Sequence, residues 1–88
     1  MWVDQRDYQI IGDALASARS EAGFTQQQLA KQLGKPQSFV SNYERGQRRL
    51  DVLELLVVLD VLGAKPQKVF LEIVARLNAA RARSQTRR

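Results

Sequence analysis

Apolar residues recur every three or four positions along most of the chain, which is the spacing of one face of an α-helix rather than of a strand. The first such stripe consists of Ile11, Leu15, Ala18 and Ala22. Asp7 stands just before it and suits an N-cap, so the first helix is predicted from about Tyr8 to Ala22. No segment alternates convincingly as a strand does, and the pattern therefore predicts an all-α fold.

A second helix is expected to begin after Thr25 and to end before Gly34. Gln28 lies three residues after Thr25, and the pair has the spacing of a capping box. Leu29 and Leu33 stand one turn apart and share a buried face. Gly34 can adopt the left-handed conformation that often ends a helix, because it has no Cβ to clash.

A third helix is expected from Pro36 to about Arg45, with Gly46 as its stop and Val40 and Tyr43 as its apolar positions. Two short helices joined by a Gly-centred turn have the outline of a helix-turn-helix. The polar residues off the buried face are of types that hydrogen-bond base edges in a major groove. They are Gln37, Ser38, Ser41 and Asn42.

The fourth predicted helix, residues 52–62, is apolar almost all round. Asp51 caps it, Gly63 ends it, and only Glu54 and Asp60 within it are polar. A domain this small cannot bury every side of such a helix, so part of its surface is expected to meet another chain. The candidates for this surplus are Val57, Val58 and Val61. The alternative is that the whole helix belongs to the core.

A fifth helix is predicted from Pro66 to about Ala82, and its apolar stripe is broader than one contact requires. The stripe consists of Val69, Phe70, Ile73, Val74 and Leu77. We expect one edge of it to face the domain and the other a second copy of the chain. Residues 1–82 would then form one domain, and residues 83–88 a basic, disordered tail.

Composition narrows the range of functions. The chain has 88 residues, enough for one small domain, and contains neither Cys nor His. Disulfides and the commonest metal and acid–base ligands are therefore excluded, and neither Ser-x-x-Lys nor Gly-x-Ser-x-Gly occurs. We expect no enzymatic activity, no cofactor and no metal. The acidic N-terminus is no signal peptide and nothing resembles a membrane span, so a cytoplasmic protein is expected.

Charge is distributed unevenly along the chain. Residues 25–50 hold five basic side chains against Glu44 alone, a net charge of +4, and residues 76–88 hold five Arg and no acid. The intervening segment and residues 1–24 each carry a net charge of −2. A basic segment flanked by acidic ones suits a protein that docks one face against phosphates.

Several positions together match a family pattern. They are Arg19 and Gly23, Gln26, Leu29 and Ala30, Gly34, the run Glu44, Arg45 and Gly46, and Leu62 with Gly63. On these residues the chain resembles the Cro/CI-type helix-turn-helix proteins, also called XRE or lambda-repressor-like, over about residues 11 to 75. Lys35 and Pro36 depart from the pattern, since the family more often has an apolar residue and then Ser or Thr there.

The resemblance implies a compact five-helix lambda-repressor-like domain in which the second and third helices form the helix-turn-helix. It implies a sequence-specific regulator of transcription, a repressor, that binds double-stranded DNA as a homodimer on an inverted repeat. Family members often dimerise through their last helix. The interface residues expected here are Phe70, Ile73, Val74 and Leu77.

Individual site residues follow from the same resemblance and from residue type. Base contacts are expected from Gln37, Ser38, Phe39, Ser41 and Asn42. Phe39 has an alternative role, covering the edge of the core. Phosphate contacts are expected from Gln26, Lys35, Arg45, Arg48 and Arg49. Arg19 and Glu44 match positions that form a partly buried ion pair bracing the recognition helix.

Two other functions are compatible with the sequence. A helix-turn-helix antitoxin would bind operator DNA with one surface and a toxin with the apolar surplus of the fourth helix. An adaptor with this fold would bind proteins and no DNA. The uneven charge and the polar face of the third helix favour DNA binding over the adaptor.

Overall fold

The computed structural model describes residues 2–86, with side chains for residues 2–83. Over this range the chain forms five α-helices and no strand, which confirms the all-α fold class. The helices are α1 (Gln5–Glu21), α2 (Gln26–Leu33), α3 (Gln37–Glu44), α4 (Val52–Leu62) and α5 (Pro66–Thr86). Within the described residues, none of the helices has both the length and the apolar character needed to cross a bilayer.

The start of α1 lies three residues before the predicted one. Asp4, rather than Asp7, is the N-cap, and its carboxylate accepts a hydrogen bond from the Arg6 amide at 2.8 Å. Asp7 lies in the first turn, where its carboxylate accepts from the Asp4 amide at 2.9 Å. The prediction of a start at Tyr8 was wrong because Asp7 completes a capping box instead of opening the helix.

The other predicted caps are confirmed. Thr25 and Gln28 form a capping box at the start of α2, as Asp51 and Glu54 do at the start of α4. Gly34 ends α2 in the left-handed conformation, with φ of 68°. α3 is one residue shorter at each end than predicted. Pro36 is its N-cap, without a side-chain hydrogen bond, and Arg45 is its C-cap.

One apolar core joins all five helices. Its fully buried members are Leu15, Leu29, Val40, Val58 and Leu59. The expectation that Val58 lies on an exposed surface was therefore wrong, and Val61 is half-buried against the core. Val57 is exposed, as predicted. The exposed apolar residues of α4 are Val52, Leu53, Leu56 and Val57, which we call the α4 patch.

The apolar stripe of α5 divides between core and surface. Val69 and Ile73 are buried, and Leu77 packs against the core. Ile73 therefore cannot contribute to a dimer surface as expected, since only 7 % of it is exposed. The exposed apolar residues are Phe70, Leu71 and Val74, the α5 patch.

The end of α5 also differs from the sequence-based expectation. The helix continues four residues past Ala82 to Thr86, so residues 83–86 are helical rather than part of a disordered tail. Residues 87 and 88, the last two of the expected tail, lie outside the described residues.

Two helices pack against the inner face of α3. α1 packs against α3 and α5, while α2 packs against α3 and α4. The crossing of α1 and α3 is close at Gly12, where an added Cβ would stand 2.7 Å from the Tyr43 carbonyl oxygen. α3 is thus backed by α1 and α2.

Candidate nucleic-acid interface

The turn between α2 and α3 is set by backbone hydrogen bonds. The Lys35 amide donates to the Ala30 carbonyl at 2.9 Å, and the Gly34 amide donates to Lys31 at 3.1 Å. These bonds satisfy carbonyls at the end of α2 that would otherwise lack partners. Leu29 and Val40 bury the inner faces of the two helices, which leaves the opposite face of α3 directed outward.

Arg19 of α1 and Glu44 of α3 form a bidentate ion pair behind that face. Arg19 Nε lies 2.7 Å from Glu44 Oε2, and Arg19 Nη2 lies 3.2 Å from Oε1. A further guanidinium nitrogen donates to the Phe24 carbonyl at 2.8 Å. Only 16 % of the Arg19 side chain and 6 % of the Glu44 side chain are exposed. The hydrogen bond to Glu44 raises the pKa of Arg19, so the guanidinium stays charged.

Glu44 is also connected to the outer surface of α3. Gln26 Nε2 donates to Glu44 Oε1 at 2.9 Å, and Gln26 Oε1 accepts from Gln37 Nε2 at 3.4 Å. Gln26 is half-buried, whereas Gln37 is exposed. Three side chains from two helices therefore form a hydrogen-bonded series that ends at the first residue of α3.

The polar residues predicted to contact bases differ in exposure. Gln37 and Ser38 are exposed at the start of α3, while Ser41 and Asn42 are half-buried one turn later. Asn42 Oδ1 accepts a hydrogen bond from Arg45 Nη2 at 3.0 Å. The amide nitrogen of Asn42 donates to no other group in the described part of the chain, so it is available to a ligand.

Phe39 covers the edge of the core, which was the alternative to a base contact. It is half-buried against the core, and its ring meets the Tyr43 ring edge to face, with centroids 5.7 Å apart. The Arg48 guanidinium lies over the ring at 4.5 Å and the Lys35 ammonium at 5.6 Å. The ring therefore supports two of the basic side chains beside α3.

The basic residues around α3 are exposed, and some have acidic or aromatic neighbours. Arg48 Nη2 lies 3.0 Å from Glu54 Oε2, and this hydrogen bond lowers the pKa of Glu54. The Arg49 guanidinium lies over the Tyr8 ring at 4.7 Å. Because the Arg48–Glu54 pair is solvated, its net stabilisation is small and a phosphate can compete for Arg48.

Sequence reasoning missed two side chains that hold the far end of α3. Gln5 Nε2 donates to the Gly46 carbonyl at 2.6 Å, and Gln9 Nε2 donates to the Glu44 carbonyl at 3.1 Å. Both residues come from the first turns of α1 and lie four positions apart, on one face. They satisfy carbonyls at or just past the C-terminal end of α3, which otherwise lack helical partners.

The Tyr43 hydroxyl is the other group that sequence reasoning did not single out. It is buried, and it has no hydrogen-bond partner among the residues that the structure describes. Burial raises the pKa of Tyr43 well above its usual value, and the nearby Glu44 charge adds to the increase. The phenol therefore stays neutral at ordinary pH.

The outward-facing helix of a helix–turn–helix unit, bordered by basic residues, defines a DNA-binding domain of the helix-turn-helix class. The Helix-turn-helix family matches the chain over residues 15–69. The chain therefore belongs to the XRE-type helix-turn-helix family and is a DNA-binding regulator of transcription.

Solved structures of other regulators share this fold. The clp gene regulator ClgR from Corynebacterium glutamicum is 27 % identical, with a TM-score of 0.78 over 92 % of this chain and 87 % of that one. An XRE-family like protein from Pseudomonas syringae pv. tomato str. DC3000 is 44 % identical, with a TM-score of 0.70 over 80 % and 85 %. The restriction-modification controller protein C.AhdI from Aeromonas hydrophila is 30 % identical, with a TM-score of 0.66 over 73 % and 97 %. No curated protein matches the chain.

Proposed function

We propose that the protein is a sequence-specific repressor that binds an inverted-repeat operator as a homodimer, with α3 in the major groove. The observation that carries this proposal is the exposure of Gln37 and Ser38 on α3, beside the exposed Arg48 and Arg49. Amide and hydroxyl groups can read base edges, while the arginines can hold the phosphates on either side. A dimer that occupies two successive major grooves would block access to a promoter.

In this proposal, one group of residues contacts base edges and another contacts phosphates. Base edges are read by Gln37, Ser38, Ser41 and Asn42, and phosphates are bound by Gln26, Lys35, Arg45, Arg48 and Arg49. Gln26 takes part through its second amide hydrogen, since the first is donated to Glu44. Phe39 supports Arg48 and Lys35 from behind instead of reading a thymine methyl.

Dimerisation through the α5 patch supports the same function. Phe70, Leu71 and Val74 are 42 %, 71 % and 50 % exposed, and burying them between two copies would stabilise a dimer. One recognition helix reads only a few base pairs, and a single domain would therefore discriminate poorly between sites. Two copies related by a twofold axis place two α3 helices roughly 34 Å apart, in successive major grooves.

Selection from random double-stranded DNA with the full chain tests the proposal. We expect an enriched inverted repeat whose half-sites lie about 10 base pairs apart, centre to centre. The same selection with Gln37→Ala should lose preference at one or two base pairs in each half-site. If the wild-type chain enriches no sequence, α3 does not read bases and the proposal is wrong.

The α4 patch favours a second candidate function, that of an antitoxin. Val52, Leu53 and Val57 are each more than half exposed on a helix that DNA docking of α3 does not use. Leu53→Asp should abolish binding of a co-purified toxin and leave operator binding intact. If no protein partner co-purifies with the chain from its native cells, the antitoxin function is excluded.

A further inference from the structure

We propose that Glu44 determines which edge of the Gln37 side chain is presented to DNA, and thereby sets the base that Gln37 reads. This inference rests on the proposed function, because it takes Gln37 as a base-reading residue. Glu44 itself is buried and contacts no base, so it acts as a positioning residue through Gln26.

Both oxygens of the Glu44 carboxylate accept hydrogen bonds from Arg19. Oε1 also accepts from Gln26, so Glu44 offers Gln26 only an acceptor. A primary amide, in contrast, has both a donor and an acceptor end. Gln26 must therefore direct its amide nitrogen toward Glu44.

The orientation of Gln26 then constrains Gln37. With its nitrogen directed at Glu44, Gln26 turns its carbonyl oxygen toward Gln37, and this oxygen accepts a hydrogen bond from Gln37 Nε2 at 3.4 Å. Only the donor end of Gln37 can make this contact. One buried negative charge therefore fixes the polarity of two successive amides, the second of them exposed.

A fixed polarity selects among bases. When Gln37 donates to Gln26 the amide hydrogen trans to its own Oε1, its second amide hydrogen lies on the same side as Oε1. This hydrogen and Oε1 form an outward edge with one donor and one acceptor. A glutamine edge of this kind pairs with N7 and N6 of adenine. If the amide were free to flip, donor and acceptor would exchange places across the groove, and different base pairs could be accepted. Glu44 thus restricts the Gln37 amide to one of its two orientations, and hence to one pattern of donor and acceptor.

The test compares three variants of the full chain. Arg19→Met with Glu44→Gln removes both charges together, so that neither is left buried alone, and allows Gln26 to flip. Gln26→Leu leaves the ion pair in place and removes the connection to Gln37. Arg19→Lys weakens the ion pair but keeps the carboxylate, and it serves as the control for lost stability. Binding is measured by fluorescence anisotropy on the selected operator and on operators changed at single base pairs.

Gln37→Ala first identifies the base pair that Gln37 reads. At that pair alone, the double variant and Gln26→Leu should both reduce the preference for the selected base by about tenfold, the size expected of one bidentate contact. Preference at the other base pairs should not change. Because Gln26→Leu also removes a proposed phosphate contact, it should weaken binding to all DNA by a similar factor without altering those preferences. Arg19→Lys should keep its preference although its melting temperature falls.

Other results would overturn the inference. If the double variant or Gln26→Leu keeps the full preference at this pair, Glu44 is only a structural brace. If Arg19→Lys relaxes the preference equally, the effect follows from stability. Should the double variant not fold, Gln26→Leu decides the question, because its ion pair is intact. If Gln37→Ala changes no preference at all, the proposed readout is wrong and the inference fails with it.

Discussion

Gly12 of α1 lies directly against the backbone of Tyr43 and Glu44 in α3, where a Cβ on residue 12 would clash with the Glu44 carbonyl group and stand only 2.7 Å from the Tyr43 carbonyl oxygen. The nearby obstacle is backbone, so neither helix can yield without moving as a whole. The absence of a side chain at residue 12 therefore sets how closely α1 packs against α3.

Gly12→Ala should lower the free energy of unfolding by about 1 to 3 kcal/mol, as overpacked sites do. The sign of this change is informative, because replacing Gly by Ala inside an unobstructed helix stabilises a protein by about 1 kcal/mol. Urea denaturation measures the change, with Ser20→Ala on an exposed position of α1 as the control. A stabilised Gly12→Ala variant would show that the two helices can separate at little cost.

Glu44→Ala should destabilise the domain by about 3 to 5 kcal/mol, since Arg19 would be left buried without a counter-charge. Thermal and urea denaturation give the value. Glu72 forms an exposed ion pair with Arg76 at 2.9 Å and provides the comparison. Glu72→Ala should cost less than about 1 kcal/mol. Equal effects of the two substitutions would mean that the Arg19–Glu44 pair is solvated.

Tyr43→Phe removes a buried hydroxyl that has no partner in the described part of the chain, and should stabilise the protein by about 1 kcal/mol. Because burial raises the Tyr43 pKa in the folded state, the unfolded chain loses its phenol proton first, at about pH 10. Wild-type stability should therefore decline as the pH rises beyond that value, and the decline should be smaller in Tyr43→Phe. Destabilisation by the substitution at neutral pH would indicate that the hydroxyl is satisfied.

Glu54→Gln should strengthen binding to unrelated DNA at low salt, because it releases Arg48 from its ion pair. Gln at this position can still complete the capping box of α4, so the helix should keep its stability. Arg48→Ala should have the opposite effect, with a salt slope smaller by about 0.9 for one lost phosphate contact. Titration of binding against salt measures both. Unchanged binding in both variants would place Arg48 away from the phosphates.

Val74→Asp should break the proposed homodimer while leaving the fold intact, because Val74 is half exposed on the α5 patch. Ile73→Asp, one residue earlier, should instead prevent folding, since an unpaired charge would enter the core. Light scattering and circular dichroism distinguish these results. Leu53→Asp on the α4 patch is the matched control and should remain dimeric. If Leu53→Asp dissociates the dimer and Val74→Asp does not, α4 forms the interface.

Features that depend on a few neighbouring residues could be predicted from the sequence. The capping box of Thr25 with Gln28 and the Asp51 cap of α4 were both placed correctly, although the part of Glu54 in a second capping box was not predicted. The start of α1 was missed because the box there ends in Asp7 rather than in Glu or Gln. Local rules thus located every helix end except that of α5 to within a turn.

Features that depend on the direction of a helix face were harder to predict. α4 is apolar almost all round, so its sequence does not show that Val58 is buried and Leu53 exposed. Gly12 interrupts no helical pattern, and only the backbone that crosses it explains its role. The outer face of α3 could be predicted because Val40 and Tyr43 mark its inner side.

The contacts of Gln5 and Gln9 with the end of α3 span 41 and 35 residues of chain. In a small helical domain most contacts are between near neighbours in sequence, which favours rapid folding. These two contacts are exceptions, because each joins α1 to a segment that is synthesised much later. α1 leaves the ribosome before α3, and its glutamines have no carbonyls to bind until Gly46 has followed. The contacts that join α1 to the end of α3 therefore form only after both helices have been synthesised.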